Sequence, residues 1–258
     1  PFITTTGNAN PNREKYPDSF GIESRMSNRA LRAMELFGKD QSITAEEFER
    51  YKFDMRYSVD SYMSLFVDRL ISLSDSFDDD QLKEGVNVLK AWDKNTDLEN
   101  KNASLPIISF GWFMETDPDD VSDENLIESF TYAVKYLYNH YGKLNVIWGK
   151  VNRLVRGSVN LAVGGGPDIS RAIYGIPTEE GYLKGYAGDA FHMLVEWGKD
   201  GEVNSRSIHQ YGSNTQHETS THYSDQSKLF VERKLKPVWL KLQTIKENLE
   251  QAYSPGNK

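Results

Sequence analysis

Between residues 24 and 145 apolar side chains recur every three or four positions, the period of helices with one buried face. In SRMSNRALRAMELFG, Met26, Leu31, Met34, Leu36 and Phe37 make a rough stripe, and Gly38 is placed to end it. Thr44 and Glu47 in TAEE form a capping box, in which hydroxyl and carboxylate satisfy free N–H groups at a helix start. SVDSYMSLFVDRLISLSDSF sets Tyr62, Leu65, Phe66, Leu70 and Leu73 on the next stripe, and DDQLKEGVNVLKAW sets Leu82, Val86, Leu89 and Trp92, with Gly85 as a weak point. The clearest helix is SDENLIESFTYAVKYLYNHYG, where Leu126, Phe130, Val134, Leu137 and Tyr141 share a face and Gly142 stops it.

From residue 146 the period changes to two. VNRLVRGSVNLAV, AFHMLVEWG and VNSRSIHQYG are short runs rich in Val, Ile and aromatics, broken by Gly and Asp, and predict strands. GKDG at 198–201 predicts a hairpin turn between two of them. The tail, residues 225–253, returns to a helical pattern interrupted at Pro237. Residues 1–23 show neither period and predict a polar loop. The pattern defines an α+β chain: a loop (1–23), a mostly helical region (24–145), then a strand-rich region of antiparallel strands with a C-terminal helix (146–258).

Composition narrows the function classes. With 38% hydrophobic residues in 258, including 14 Tyr, 12 Phe and 5 Trp, the chain can fill a packed core. A net charge of −8 and the lack of a dense Lys/Arg stripe argue against nucleic acid as partner. No apolar run approaches the length of a membrane-spanning helix. The absence of cysteine removes thiol nucleophiles, disulfides and thiolate zinc sites together. A first residue Pro1, without initiator Met or signal peptide, predicts a processed chain or a subcloned fragment.

Four stretches are candidates for chemistry. HETSTHYSDQ holds His217, Glu218 and His222, with His209 upstream. A zinc-protease helix needs histidines four apart; five steps turn the rings about 140° from one another. Its Ser and Thr content predicts a loop whose histidines bond locally. AVGGGPD, residues 162–168, lacks both the Lys-Ser/Thr end of a P-loop and the spacing of a dinucleotide turn, so a tight turn after a strand is expected. DKNTDLENKNAS starts like a calcium loop at Asp93, Asn95 and Asp97, but Leu98 stands at the glycine position and Ser104 at the bidentate glutamate position. In SFDDDQ three carboxylates gather at a helix start, where they suit the dipole as a cap. There is no G-x-S-x-G elbow, and the five histidines do not assemble into a triad from sequence.

Taken in order, WGKVNRLVRG, LAVGGGPDISRA, GYAGDAFHMLVEW and IHQYGSNTQHETSTHYSDQSKLFVERKLKPV resemble the penicillin acylase family of N-terminal nucleophile hydrolases. They match its W-G-x-V-x-R block, G-G-P turn, G-D strand and closing H-Y-x-D-Q block, the last at His222 to Gln226; Ser213-Asn214 stands where many members carry Gln-Ser. In the first half, RMSNRALRAMELF with SITAEEF resembles a helix pair of the family's β-chain. LKAWDKNTDLENKNASLPIISFGWF resembles its Trp-Asp segment with a following apolar helix. The nearest likeness is to acylases of acyl-homoserine lactones and related amides.

The resemblance implies the C-terminal part of a β-chain within an αββα sandwich, all of it one fragment of a larger domain. Family members use an N-terminal serine whose own α-amino group is the base, with an asparagine and backbone N–H groups at the oxyanion. Both catalytic groups would precede Pro1-Phe2, so this chain alone would be inactive. What would remain is a supporting arginine: Arg25 is the best match, with Arg29 and Arg32 as competitors. No cofactor is implied. The family's calcium block falls at Tyr16-Pro17-Asp18, but the ligand position holds Phe20, so a structural calcium of the complete enzyme is not assignable here and no metal ligand is named. The H-Y-x-D-Q block is expected to be structural. Implied partners are an N-acyl amide substrate and the remaining α- and β-chain segments, with neither nucleic acid nor membrane, in a periplasmic or secreted setting. The alternative is a non-catalytic acyl-ligand or protein-binding domain related to acylases, with Tyr132, Tyr136, Tyr138 and Tyr141 as aromatic contacts.

Overall fold

The computed structural model describes residues 26–214 and 216–250, with Pro17, Ser19 and Ala252. The chain divides into two compact units, one ending at Asp189 and the other starting at Ala190.

The described residues of the first unit include α1 (Asn28–Leu36), α2 (Ala45–Lys52), α3 (Tyr62–Leu73), α4 (Asp80–Ala91), α5 (Ser104–Phe110), α6 (Asp123–Tyr141) and the single turn α7 (Trp148–Val151). Local chemistry sets their ends. Ser27, Ser61, Asp79 and Ser122 cap α1, α3, α4 and α6 through their side chains, and Thr44 and Glu47 complete the expected box on α2. Gly142 ends α6 at φ 66°, its N–H on the Tyr138 carbonyl, as glycine without a Cβ can. Gly38 follows the α1 cap, Phe37, at the expected stop position, but without a left-handed φ: its N–H donates to the Met34 carbonyl at 3.1 Å, and a Cβ there would meet that oxygen at 2.4 Å.

The core of this unit is apolar and aromatic. Phe66 and Leu70 of α3, Leu89 of α4, Phe130 and Leu137 of α6, and Trp148 are at most 2% exposed. The buried stripe of α3 is Met63, Phe66, Val67 and Leu70; Leu65, expected on it, is 44% exposed, so the face is turned by about one position. Every residue of α5 is buried, its two serines donating to the Val146 and Leu105 carbonyls. Gly85 lets α4 approach α6 closely, since a Cβ there would lie 2.7 Å from Cζ of Phe130.

Among the described residues of this unit, four strands follow: β1 (Asn152–Arg156), β2 (Val159–Ala162), β3 (Ile173–Pro177) and β4 (Leu183–Gly188), in the order β2-β1-β4-β3. β1 and β2 form an antiparallel hairpin over Gly157-Ser158, with Gly157 at φ 56°. β3 pairs antiparallel with β4, while β1 and β4 run parallel, aligning Asn152 with Leu183. β3 and β4 are interrupted by glycine and lie outside the strands that periodicity predicts.

The second unit carries β5 (Phe191–Trp197), β6 (Val203–His209), α8 (Ser227–Val231), β7 (Lys236–Pro237) and α9 (Leu242–Glu247). Its sheet is antiparallel in the order β5-β6-β7. The expected hairpin turn is present: the Gly198 N–H donates to the Glu202 carbonyl at 2.7 Å, and Gly201 sits at φ 82°. The tail is not one helix broken at Pro237, because Pro237 belongs to β7. A proline is tolerated on an edge strand, and pairing resumes at once with the Val238 N–H on the Ser205 carbonyl at 2.8 Å.

Candidate functional site

The first unit gathers charge where the start of α1, the end of α2 and the 163–171 loop meet. Asn28 is buried and fully used: its N–H donates to Oδ2 of Asp168 at 2.8 Å, its Nδ2 to the Arg56 carbonyl at 3.1 Å, and its Oδ1 accepts from the Ser58 N–H at 2.8 Å. Arg29 Nε lies 3.4 Å from Oδ1 of the same aspartate. Arg32 grips Asp54 with two nitrogens, at 2.9 and 3.0 Å, and also holds Glu35; the bond to Asp54 is the main reason its affinity for the proton rises. Tyr57, wholly buried, donates to the Pro167 carbonyl at 2.5 Å, and burial first, then the Asp168 charge, pushes its phenol well above the usual range. Lys52 reaches the Ser170 carbonyl at 2.9 Å and Asp189 at 3.5 Å; desolvation lowers its ammonium despite that carboxylate.

The 163–171 loop threads backbone through this cluster. Gly165 adopts φ 109°, and a Cβ there would meet the Arg171 carbonyl oxygen at 2.4 Å. The Gly165 and Gly166 N–H groups are spent on the carbonyls of Thr96 and Arg171, so they are not aimed at an anion. The glycines serve close passage of backbone, in keeping with the expected tight turn. They bring Asp168, itself at φ 53°, against α1, and bury Arg171 with its Nε on the Gly164 carbonyl and its guanidinium over the Phe53 ring.

A small apolar cleft adjoins the cluster at Tyr174, whose hydroxyl accepts the Asp168 N–H at 3.3 Å. Its volume is about 40 Å³, and its walls include Ile107, Trp112, Trp148, Asn152, Ile173 and Leu183.

The sequence candidates fall in different places. Arg25 lies outside the described residues, as do Tyr16, Asp18 and Phe20. Arg29 and Arg32 both lie in the cluster, Arg32 committed to two carboxylates. The histidine block lies in the second unit. His222 is held between Oδ2 of Asp225 at 2.9 Å and Oε2 of Glu250 at 2.8 Å, and these two acceptors raise its affinity for the proton. The Asn214 N–H donates to the His222 carbonyl, the Gln226 N–H to the Tyr211 carbonyl, and the Gln226 side chain accepts the His209 N–H. His217 makes its backbone bond to Asn214. Among the described residues no group of three or more His, Asp or Glu is placed to hold a metal ion.

Asp93, Asn95 and Asp97 each accept the backbone N–H two residues on through Oδ1, a ladder of Asx turns. Asp79 caps α4 through the N–H groups of Gln81 and Leu82. Tyr136 and Tyr141 donate to carbonyls in the 178–182 turn, and Tyr138 to Glu84, which leaves Tyr132, 48% exposed, as the candidate aromatic contact of that helix. Sequence reasoning missed Lys52, Asp54, Asp168 and Arg171. One signal was present: an acid directly after Gly-Gly-Gly-Pro stands where the chain is set to turn, and Asp tolerates positive φ.

Comparison with known proteins identifies the family to which the chain belongs. The profile of the penicillin amidase family matches residues 2–247, and the chain belongs to that family. Among solved structures it is similar to the thermostable penicillin G acylase from Alcaligenes faecalis in its orthorhombic form, at 14% identity and a TM-score of 0.44, covering 90% of this chain and 53% of that one. The chain therefore spans about half the length of the acylase chain it matches. No curated protein matches it significantly in sequence. No helix among the described residues is long and apolar enough to cross a membrane.

Proposed function

We propose that the chain is the C-terminal part of the β-chain of an acylase that hydrolyses N-acyl amides, with an acyl-homoserine lactone or a β-lactam side-chain amide as substrate. The nucleophile is an N-terminal serine outside this chain. Its hydroxyl attacks the amide carbonyl while its own α-amino group takes the proton and passes it to the leaving amine; water then releases the acid from the acyl ester. Arg25 supports the oxyanion asparagine, also outside this chain. The remaining α- and β-chain segments are its partners, the complete protein works in the periplasm or outside the cell, and the chain contributes helices beside the acyl pocket and outer strands of an αββα sandwich.

The observation that carries this reading is the family match over residues 2–247. The charged cluster at the start of α1 supports it, because it anchors the segment that follows Arg25. Among the competitors, Arg32 is bound to Asp54 and Glu35 and fits a structural part, whereas Arg29 shares one carboxylate. The test is intact mass and N-terminal sequencing of the protein from its natural source, with assay of N-acyl amides. A longer β-chain beginning with Ser beside a separate α-chain is expected, with hydrolysis lost when that serine is changed. A lone chain beginning at Pro1 and inert toward all the amides would overturn the proposal.

A further inference from the structure

His222 meets a carboxylate at each of its ring nitrogens. Nδ1 lies 2.9 Å from Oδ2 of Asp225, and Nε2 lies 2.8 Å from Oε2 of Glu250. A neutral imidazole carries one N–H, so it donates to one of these oxygens and turns a lone pair toward the other. The imidazolium alone makes both bonds. The charged groups that face the ring are Asp225 from its own loop and Glu250 from the C-terminal segment, and both raise its affinity for the proton. Glu218, the other acid of that loop, instead accepts the Tyr223 hydroxyl at 3.4 Å.

The two partners are held differently. Asp225 is three residues from His222, in the loop tied by the Asn214 and Gln226 N–H groups, and it packs so closely that a Cβ on Gly212 would stand 2.6 Å from its Oδ1. Glu250 is 28 residues from His222, at the end of a segment with few anchors. α9 buries none of its residues. Its hydrogen bonds run within the segment, from the Ile245 N–H to Lys241, from the Asn248 N–H to Ile245 and from the Asn248 side chain to Thr244. Among the described residues beyond Val238, the polar ties to the rest of this unit are Lys241 to Glu202 at 3.7 Å, near the start, and Glu250 to His222 at the end. Glu250 is also the more exposed partner, its side chain 76% open to solvent against 36% for Asp225, so water replaces its bond more readily.

We propose that His222 is a proton-operated latch on the C-terminal segment: the imidazolium pins Glu250, and with it residues 242–250, to the 210–226 loop, whereas the neutral ring keeps Asp225 and lets Glu250 go. Nε2 is the nitrogen that yields its proton to solvent, and Nδ1 keeps its hydrogen on Asp225. Leu242, Ile245 and Leu249 follow helical spacing and are exposed, so the proton decides whether that stripe is presented in one place. The latch does not depend on the acylase reading, since it is observed without substrate.

The test is NMR of the full chain from about pH 5 to about pH 9, reading the His222 ring nitrogens beside the heteronuclear NOE of backbone amides. The NOE of residues 248–250 is expected to fall as pH rises, with the midpoint of the His222 ring, while that of Asp225 and Gln226 holds. The neutral ring is expected to carry its hydrogen on Nδ1. Glu250→Ala, a change at an exposed position, is expected to give the low NOE at every pH. Four results would overturn the proposal: segment amides equally ordered on both sides of the His222 midpoint; a loss of order with a different midpoint; a neutral ring protonated on Nε2; or a Glu250→Ala segment as ordered at low pH as in the unchanged chain.

Discussion

Two loops of this molecule use their charged residues in opposite ways. The 163–171 loop buries its charge: Asp168 is 4% exposed and Arg171 1%. The 210–226 loop leaves its charge outside, with the His222 side chain 40% exposed between two exposed carboxylates. Both loops are tied by backbone and side-chain bonds of similar length. The difference teaches that surroundings rather than length set the consequence of an ionic contact: Arg29 lies 3.4 Å from Asp168, while His222 lies 2.9 Å from Asp225 and 2.8 Å from Glu250. Removing one partner from water-free surroundings strands the other, whereas solvent replaces a lost partner at the surface.

This contrast can be broken by measurement. Asp168→Ala should have the largest effect, because it leaves Arg29 and the Asn28 N–H without their acceptor in a buried place; a loss of about 3 kcal/mol in urea unfolding is expected. Gly165→Ala comes next, at about 2 kcal/mol, since its φ and the Arg171 carbonyl both oppose a Cβ. Tyr57→Phe should cost about 1 kcal/mol by leaving the Pro167 carbonyl unbonded. His222→Ala should leave the urea midpoint at neutral pH almost unmoved. An Asp168 variant as stable as the His222 variant would erase the distinction between the loops.

The histidine loop should instead show itself through pH. The two carboxylates raise His222 above the 6.5 of a free imidazole. Its tie to Asp225 and Glu250 is then complete below 6.5 and is lost as pH rises through the raised value. An NMR titration should place the His222 midpoint above 6.5, and Glu250→Gln should bring it down. Tyr136 offers a second check at the alkaline end. Burial pushes its phenol from 10.0 to about 12, so its contribution holds below 10 and fades as pH rises through 12. Tyr136→Phe should remove that part of the alkaline loss.

Helices with strong stripes and side-chain caps were legible in the sequence, since spacing and caps are local. α3 shows the limit: Leu65 is as apolar as Met63 and Val67, and only packing against α5 and α6 decides which of them turn inward. β3 and β4 were not legible because they are short, interrupted by glycine, and placed by a parallel pairing to β1 across 30 residues of sequence. Pro237 misled because a proline in a helical pattern signals a break, while the edge position that accommodates it exists only in the folded sheet. The charged cluster was illegible for the same reason. Asn28, Asp54 and Asp168 are far apart in the chain, and nothing local distinguishes them from solvated residues. The tail block's role as a loop tie was foreseen through its family resemblance, not through the spacing of its histidines.

The three-stranded sheet has one further consequence. One edge is β7, two residues long, with a lysine and a proline that has no N–H to offer. The other edge is β5, seven residues long, with Phe191, Met193 and Trp197 exposed along it. The sheet is thus sealed on one flank and receptive on the other. The backbone left open for pairing is therefore unequal at the two borders, longer along β5 than along β7.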